Sequence, residues 1–242
     1  MTSRTAAVFR KELRDYRRNK MVVASMVFLP LFLLLLQIAN VLAIKQGTPE
    51  NVVRGTLGGV SLAFFLVPLI LPTVIAAYAV VGEREQGTLE PVLTTPVLER
   101  ELLIGKALAA VVPSVLISYA LYLTYRIIVA AAAAPVVLKL VSRPAWVVAD
   151  ILFTPLLATF SIWVVLAISV RSNDVRVAQQ LSGLAMIPMV GVIALFTFQV
   201  VSPSVGVALL GALGLLILDS LAWRVVAKLF DRERLLTRFG ST

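Results

Sequence analysis

Six apolar runs alternate with short polar stretches along the chain, at residues 21–44, 56–81, 107–130, 145–170, 177–200 and 204–226. Each exceeds the about 20 residues that a helix needs to cross a hydrocarbon core about 30 Å thick. The pattern therefore predicts six transmembrane helices in an all-α polytopic membrane protein. Ahead of them, Phe9, Leu13 and Tyr16 fall on one helical stripe, with Arg10, Lys11, Arg14, Arg17 and Arg18 around the other side. Residues 1–20 read as an amphipathic basic helix suited to the headgroup plane, the alternative being a plain basic tail. Residues 130–144 are too few for a span and too apolar for a typical loop, and read as a half-helix lying at the interface. Residues 227–242 form a charged tail after the last run.

Prolines recur in five of the runs, at Pro30, Pro68 with Pro72, Pro113, Pro155 and Pro188. Each removes a backbone donor and bends its helix. The sequence leaves two readings open, tolerated membrane prolines or hinges for a change of shape.

The longest polar stretch between two runs is 82–106, GEREQGTLEPVLTTPVLERELLIGK. Its charges are mixed, and each would cost about 2.5–3.5 kcal/mol at the centre of a bilayer. Gly87 breaks the preceding pattern and Thr88 can cap a new short helix. Leu89, Val92 and Leu93 then form one small apolar face, with Pro91 tolerated in the first turn. Thr95 can cap a second helix that begins at Pro96 and continues into the third run. A short helix with an apolar face outside a membrane calls for a partner groove; a solvated loop is the plainer alternative.

Composition agrees with the pattern. The 242 residues are 60% hydrophobic and 14% charged, against about 45–50% and about 25% in soluble domains. The net charge of +9 is not a nucleic-acid footprint, because the basic residues sit at the ends of the runs. Of the 22 Lys and Arg, all but Lys45, Arg54, Arg126, Lys139 and Arg143 fall on the side of the N-terminal segment. That asymmetry predicts both termini and the 82–106 loop in the cytosol, in the cell (plasma) membrane. The basic start runs into a span too long for a cleavable signal, so the first span is expected to be a retained anchor.

The candidate chemistry is sparse. The chain has no Cys and no His, which removes thiolate nucleophiles, imidazole bases and the usual zinc sites. Gly105-Lys106 is followed by Ala107 without the earlier glycine of a phosphate-binding loop, and no H-E-x-x-H or G-x-S-x-G is present. No catalytic or metal site is expected. Three charges inside the runs require partners. Arg126 and Asp150 lie at similar depth near the ends of the third and fourth runs and are expected to form an ion pair, unless Arg126 snorkels alone. Asp219 in the sixth run, with Gln37 and Asn40 in the first, is a candidate path or proton site. Phe28, Phe32, Phe64 and Phe65 are candidate lining residues for a small amphipathic or apolar cargo.

Three polar segments carry a resemblance. G-E-R-E-x-G-T-L-E-x-x-L-T-T-P-V-x-x-x-E-L-L-x-G-K, from Gly82 to Lys106, resembles the cytosolic loop of type-2 permeases of ATP-binding-cassette (ABC) exporters. V-R-S-x-D-x-R-x-A-Q-Q, from Val170 to Gln180, is similar to that family's second cytosolic turn, and L-F-D-R-E-R-L-L, from Leu229 to Leu236, to its C-terminal ending. The resemblance implies a coupling helix in 82–106 that docks on a separate nucleotide-binding subunit. Leu89, Val92 and Leu93 would enter its groove, Gly87 and Thr88 would start the helix, and Glu83, Arg84, Glu85 and Glu90 would set its register. It also implies an N-terminal interfacial helix beside that groove and a second permease copy or paralogue. ATP and Mg would be bound by the partner ATPase subunits, and no cofactor by this chain. The link between the fifth and sixth runs departs from the family in being short, which leaves little length for re-entrant helices. Two rivals stand beside this reading: an ion-driven transporter using Asp150 or Asp219, and a membrane anchor that relays ATPase motion without transport.

Overall fold

The computed structural model describes residues 3–85, 99–169, 172, 174–201 and 203–229, without the side chains of 3, 78–85 and 99–100. Among these residues there are helices and turns but no strand. The order is α1 (Ser3–Arg18), α2 (Lys20–Leu42), α3 (Glu50–Glu85), α4 (Glu99–Ala132) and α5 (Pro135–Val141). Then come α6 (Pro144–Ser169), α7 (Val175–Ala185), α8 (Ile187–Thr197) and α9 (Val205–Leu229).

Local chemistry starts several of these helices. Asn19 accepts from the Met21 and Val22 N–H groups at 3.0 and 3.3 Å, which separates α2 from α1 after a single residue. Asp174 accepts from Arg176 and Val177 at 2.6 and 3.2 Å and caps α7. Ser204 Oγ accepts from Val207 N–H at 3.2 Å at the start of α9. Pro135 and Pro144 open α5 and α6, where a missing N–H costs nothing.

Among the described residues, five helices are long and apolar enough to cross a membrane: α2, α3 over 50–77, α4 over 101–132, α6 and α9. The fifth run of the sequence differs from the single span expected over 177–200. It is built as α7 and α8, which meet at a 42° bend and have, taken together, the length and hydropathy of a broken span or a re-entrant loop. Pro188 lies in the first turn of α8, where its ring ends the α7 hydrogen-bond ladder. Pro30, Pro68, Pro72, Pro113 and Pro155 lie inside continuous helices. The chain is an all-α polytopic membrane protein.

The order of crossings defines a proximal end, where α3 stops and α4 starts, and a distal end, which holds α5. α3 and α6 are central, with α9 packed on α6, α2 packed on α3 and α4, and α1 on α4 and α2. Hydrocarbon gives apolar side chains no reason to leave it, so helix association depends on close packing of small residues. Ala76, Ala77, Ala109, Ala110, Ala149, Ala158, Ser114 and Ser161 are all buried in these contacts. At Gly58 a Cβ would stand 2.7 Å from Thr197 O, so α3 and the end of α8 meet only because that side chain is absent.

α5 confirms a helix within 130–144. Val137, Leu140 and Val141 pack with Leu34, Val41, Val53 and Val129, so the short helix covers the distal end of α2–α4. The apolar stripe of α1 faces the bundle. Tyr16 is buried, and Phe9 and Leu13 pack against the proximal core of α2–α4. Arg10, Arg14, Arg17 and Arg18 face outward.

Candidate coupling surface and transport path

α3 and α4 are the longest helices, at 36 and 34 residues. At a rise of about 1.5 Å per residue they run about 50 Å, well beyond an about 30 Å hydrocarbon core. At the proximal end α3 continues past the apolar run of 56–81 to Glu85, and α4 starts at Glu99, ahead of the run at 107–130. Glu83, Arg84 and Glu85 are thus the last turn of α3, with side chains not described. Gly87, Thr88, Leu89, Glu90, Val92 and Leu93 lie outside the described residues.

Next to this end α1 is fastened to α4 by a contact that sequence reasoning missed. Lys106 Nζ donates to Glu12 Oε1 at 2.9 Å, and both side chains are only 3% exposed. Lys11 Nζ reaches the same oxygen at 3.3 Å from the surface. One turn away Arg4 stands 4.0 Å from Glu101. Gly105 lets the helices approach: a Cβ there would lie 2.6 Å from Val8 Cγ1. Gly105-Lys106, which fails as a phosphate loop, therefore works as a notch and a charge that receive α1. The available signal was Glu12 itself, the one acid on the stripe of Phe9, Leu13 and Tyr16.

The distal end holds the charges expected to pair, and they do not. Arg126 Nη1 donates to Val141 O at 2.9 Å, and its guanidinium lies 5.9 Å from the Tyr122 ring centroid. The reason is α5. Its last carbonyls have no helical partner, and Val141 O presents one of them to the nearest cation. With 130–144 ambiguous in sequence, that acceptor was invisible. Asp150 is 5% exposed, and its Oδ2 has no hydrogen-bond partner among the described residues. It lines a cavity of about 30 Å³ with Phe64, Phe65, Tyr122, Tyr125 and Trp146.

Among the described residues, no group of three or more His, Cys, Asp or Glu side chains could hold a metal ion. The bundle instead offers two elongated helices leading out of the membrane and buried polar groups within it. Against known families, residues 6–233 match the family model described as ABC-2 family transporter protein. The chain belongs to that family. It is thus a membrane component of an ABC transporter. Among curated proteins, none matches the chain.

Other expected positions of this ABC-2 protein divide. Phe64 and Phe65 are buried and line the distal cavity. Phe28 and Phe32 do not: they stack on each other at 6.2 Å on the outer face of α2, 72% and 53% exposed. They stand one helical turn apart on a helix that buries only its other side. Asp219 is buried where α9 meets α6, and neither carboxyl oxygen has a partner among the described residues. Gln37 is buried and accepts from Asn40 at 3.2 Å, whereas Asn40 is exposed. None of these three lines the Asp150 cavity.

Proposed function

We propose that the chain is the permease of an ABC exporter, driven by separate ATPase subunits that dock on residues 82–106. The observation that carries this reading is the family match over 6–233, joined to the extension of α3 and α4 past the hydrocarbon core. A force applied where these helices end acts on α3, the most enclosed of the long helices, and on α4, to which α1 is fastened by Glu12 and Lys106. Leu89, Val92 and Leu93 fill the ATPase groove, and Glu83, Arg84, Glu85 and Glu90 set register, since rim charges give specificity more than affinity.

The excess of Lys and Arg toward the proximal end supports a reading in which that end, with both termini, faces the cytosol of a cell bounded by this membrane. A groove of about 260 Å³ between α4, α6 and α9 lies on that half of the bundle, lined by Ile104, Ala107, Val111, Ile162, Trp163 and Trp223 among others. Its almost wholly apolar wall favours an apolar or amphipathic cargo. A second copy or paralogue completes the path, because the exposed apolar faces of α2 and α9 leave one bundle open on both flanks.

The test is Leu89→Asp in the complex with its ATPase. Insertion is expected to be normal, and ATPase recruitment or cargo-stimulated hydrolysis to fall at least tenfold, because a charge replaces the centre of the docking face. Unchanged stimulation overturns the docking role. Transport that follows a sodium or proton gradient without nucleotide favours the ion-driven rival.

A further inference from the structure

The distal cavity differs from every other polar feature of the bundle in that its walls are chemically specific. Rings from three helices converge on it: Phe64 and Phe65 from α3, Tyr122 and Tyr125 from α4, and Trp146 from α6. Phe64 fixes the first group, with its centroid 4.8 Å from that of Tyr125 and 6.0 Å from that of Tyr122. Trp146 is held from behind by Phe196 at 5.2 Å. Asp150, one helical turn from Trp146, supplies a carboxyl group. Both Asp150 Oδ2 and the Tyr125 hydroxyl are buried without a partner among the described residues.

The structure assigns to this cavity a binding site for a small organic ammonium group, held between the Asp150 carboxylate and the surrounding aromatic faces. Ring faces carry negative quadrupole potential and attract a desolvated cation, most strongly for Trp and Tyr. A carboxylate among them gives the N–H donors an acceptor and favours positive charge over neutral ligands. An inorganic divalent ion is a poor fit, because it requires six or more oxygen ligands for Ca²⁺ or octahedral geometry for Mg²⁺. The wall offers one carboxylate beside the neutral oxygens of Ser61, Gln199 and the two tyrosines, too little charge for such an ion. The cavity wall contains no basic residue. Arg126, the nearest cation, lies over Tyr122 with its Nη1 on Val141 O, outside the wall. A volume of about 30 Å³ is two to three times the about 10–15 Å³ that one water needs, which fits a methylammonium-sized group rather than a whole cargo molecule.

Assigning that group to the cargo rests on the permease reading; the binding itself does not, so the test uses this chain without an ATPase. Purified full-length protein in an uncharged maltoside detergent is equilibrated with radiolabelled methylammonium. One saturable site per chain is expected, displaced by unlabelled methylammonium but not by methanol or potassium chloride at equal concentration. Asp150→Asn is expected to weaken binding at least tenfold, and Trp146→Leu about three- to tenfold. Ser61→Met, which adds bulk to the cavity wall from α3, should abolish it and keeps the test decisive if Asp150→Asn does not fold. The proposal is overturned by the absence of displaceable binding, by equal displacement with potassium, or by full binding in folded Asp150→Asn or Ser61→Met. Failure here leaves the ATPase docking of residues 82–106 untouched, and failure of Leu89→Asp to uncouple leaves this site untouched.

Discussion

The two ends of the bundle each bury a carboxylate and treat it in opposite ways. At the proximal end Glu12 meets Lys106 at 2.9 Å with both side chains shut off from their surroundings. At the distal end Asp150 is as deeply enclosed but faces a cavity, while the cation expected to meet it is held by Val141 O. A buried ion pair contributes little net stability compared with apolar packing, yet removing one member is costly because the other stays charged and unpaired. The proximal pair therefore acts as a fastener between α1 and α4. The distal carboxyl fastens nothing and is available to a ligand. The difference separates a place built to transmit position from a place built to bind.

The comparison breaks most sharply at the fastener. Glu12→Ala takes from the buried Lys106 the carboxylate that it meets at 2.9 Å and should destabilise the protein by about 3 kcal/mol, read as a lower midpoint of thermal unfolding in detergent. The double variant Glu12→Leu with Lys106→Met removes both charges and is expected to recover most of that loss. If the double falls as far as the single, the pair is not what joins α1 to α4. A smaller effect is expected one residue earlier. Gly105→Val places side-chain atoms into Val8, and overpacking at such a contact costs about 1–3 kcal/mol. The same midpoint measures it, and an unchanged value would show that α1 does not approach α4 there. The smallest effect sharpens the distal end. Arg126→Gln and Asp150→Asn, which share the neighbour Tyr122 without an ion pair between them, should couple only weakly, by about 0.5–1 kcal/mol. Larger coupling in a double-mutant cycle would restore the ion pair that the helix end has displaced.

The same contrast explains how much is legible without the structure. The crossings, the amphipathic first helix and a helix within 130–144 follow from runs of one hydropathy and from periodicity, which are local signals. The family resemblance lies in three polar segments for the same reason, since polar residues between spans are few and short. The partner of Arg126 is illegible because it is a backbone carbonyl, and a sequence shows no trace of which carbonyls a short helix leaves unpaired. Phe28 and Phe32 read like Phe64 and Phe65 because all four are aromatic residues in spans, and composition does not say which face of a span turns inward. Pro188 reads like the other span prolines, yet it alone coincides with a break, where α7 and α8 meet.

By itself, the sequence determined that this chain lives in a bilayer and enters it with several long apolar helices. Those properties depend on the free energy of moving each segment between water and hydrocarbon, which is nearly additive over neighbouring residues. Only the tertiary structure decided which buried charge has a partner. Glu12 and Lys106 are 94 residues apart, and their meeting depends on a glycine notch and the packing of two helices. Asp150 is left facing a cavity because a seven-residue helix reached Arg126 first. Pairing inside a membrane is settled by geometry within a few ångströms, and that distance is set by the whole bundle.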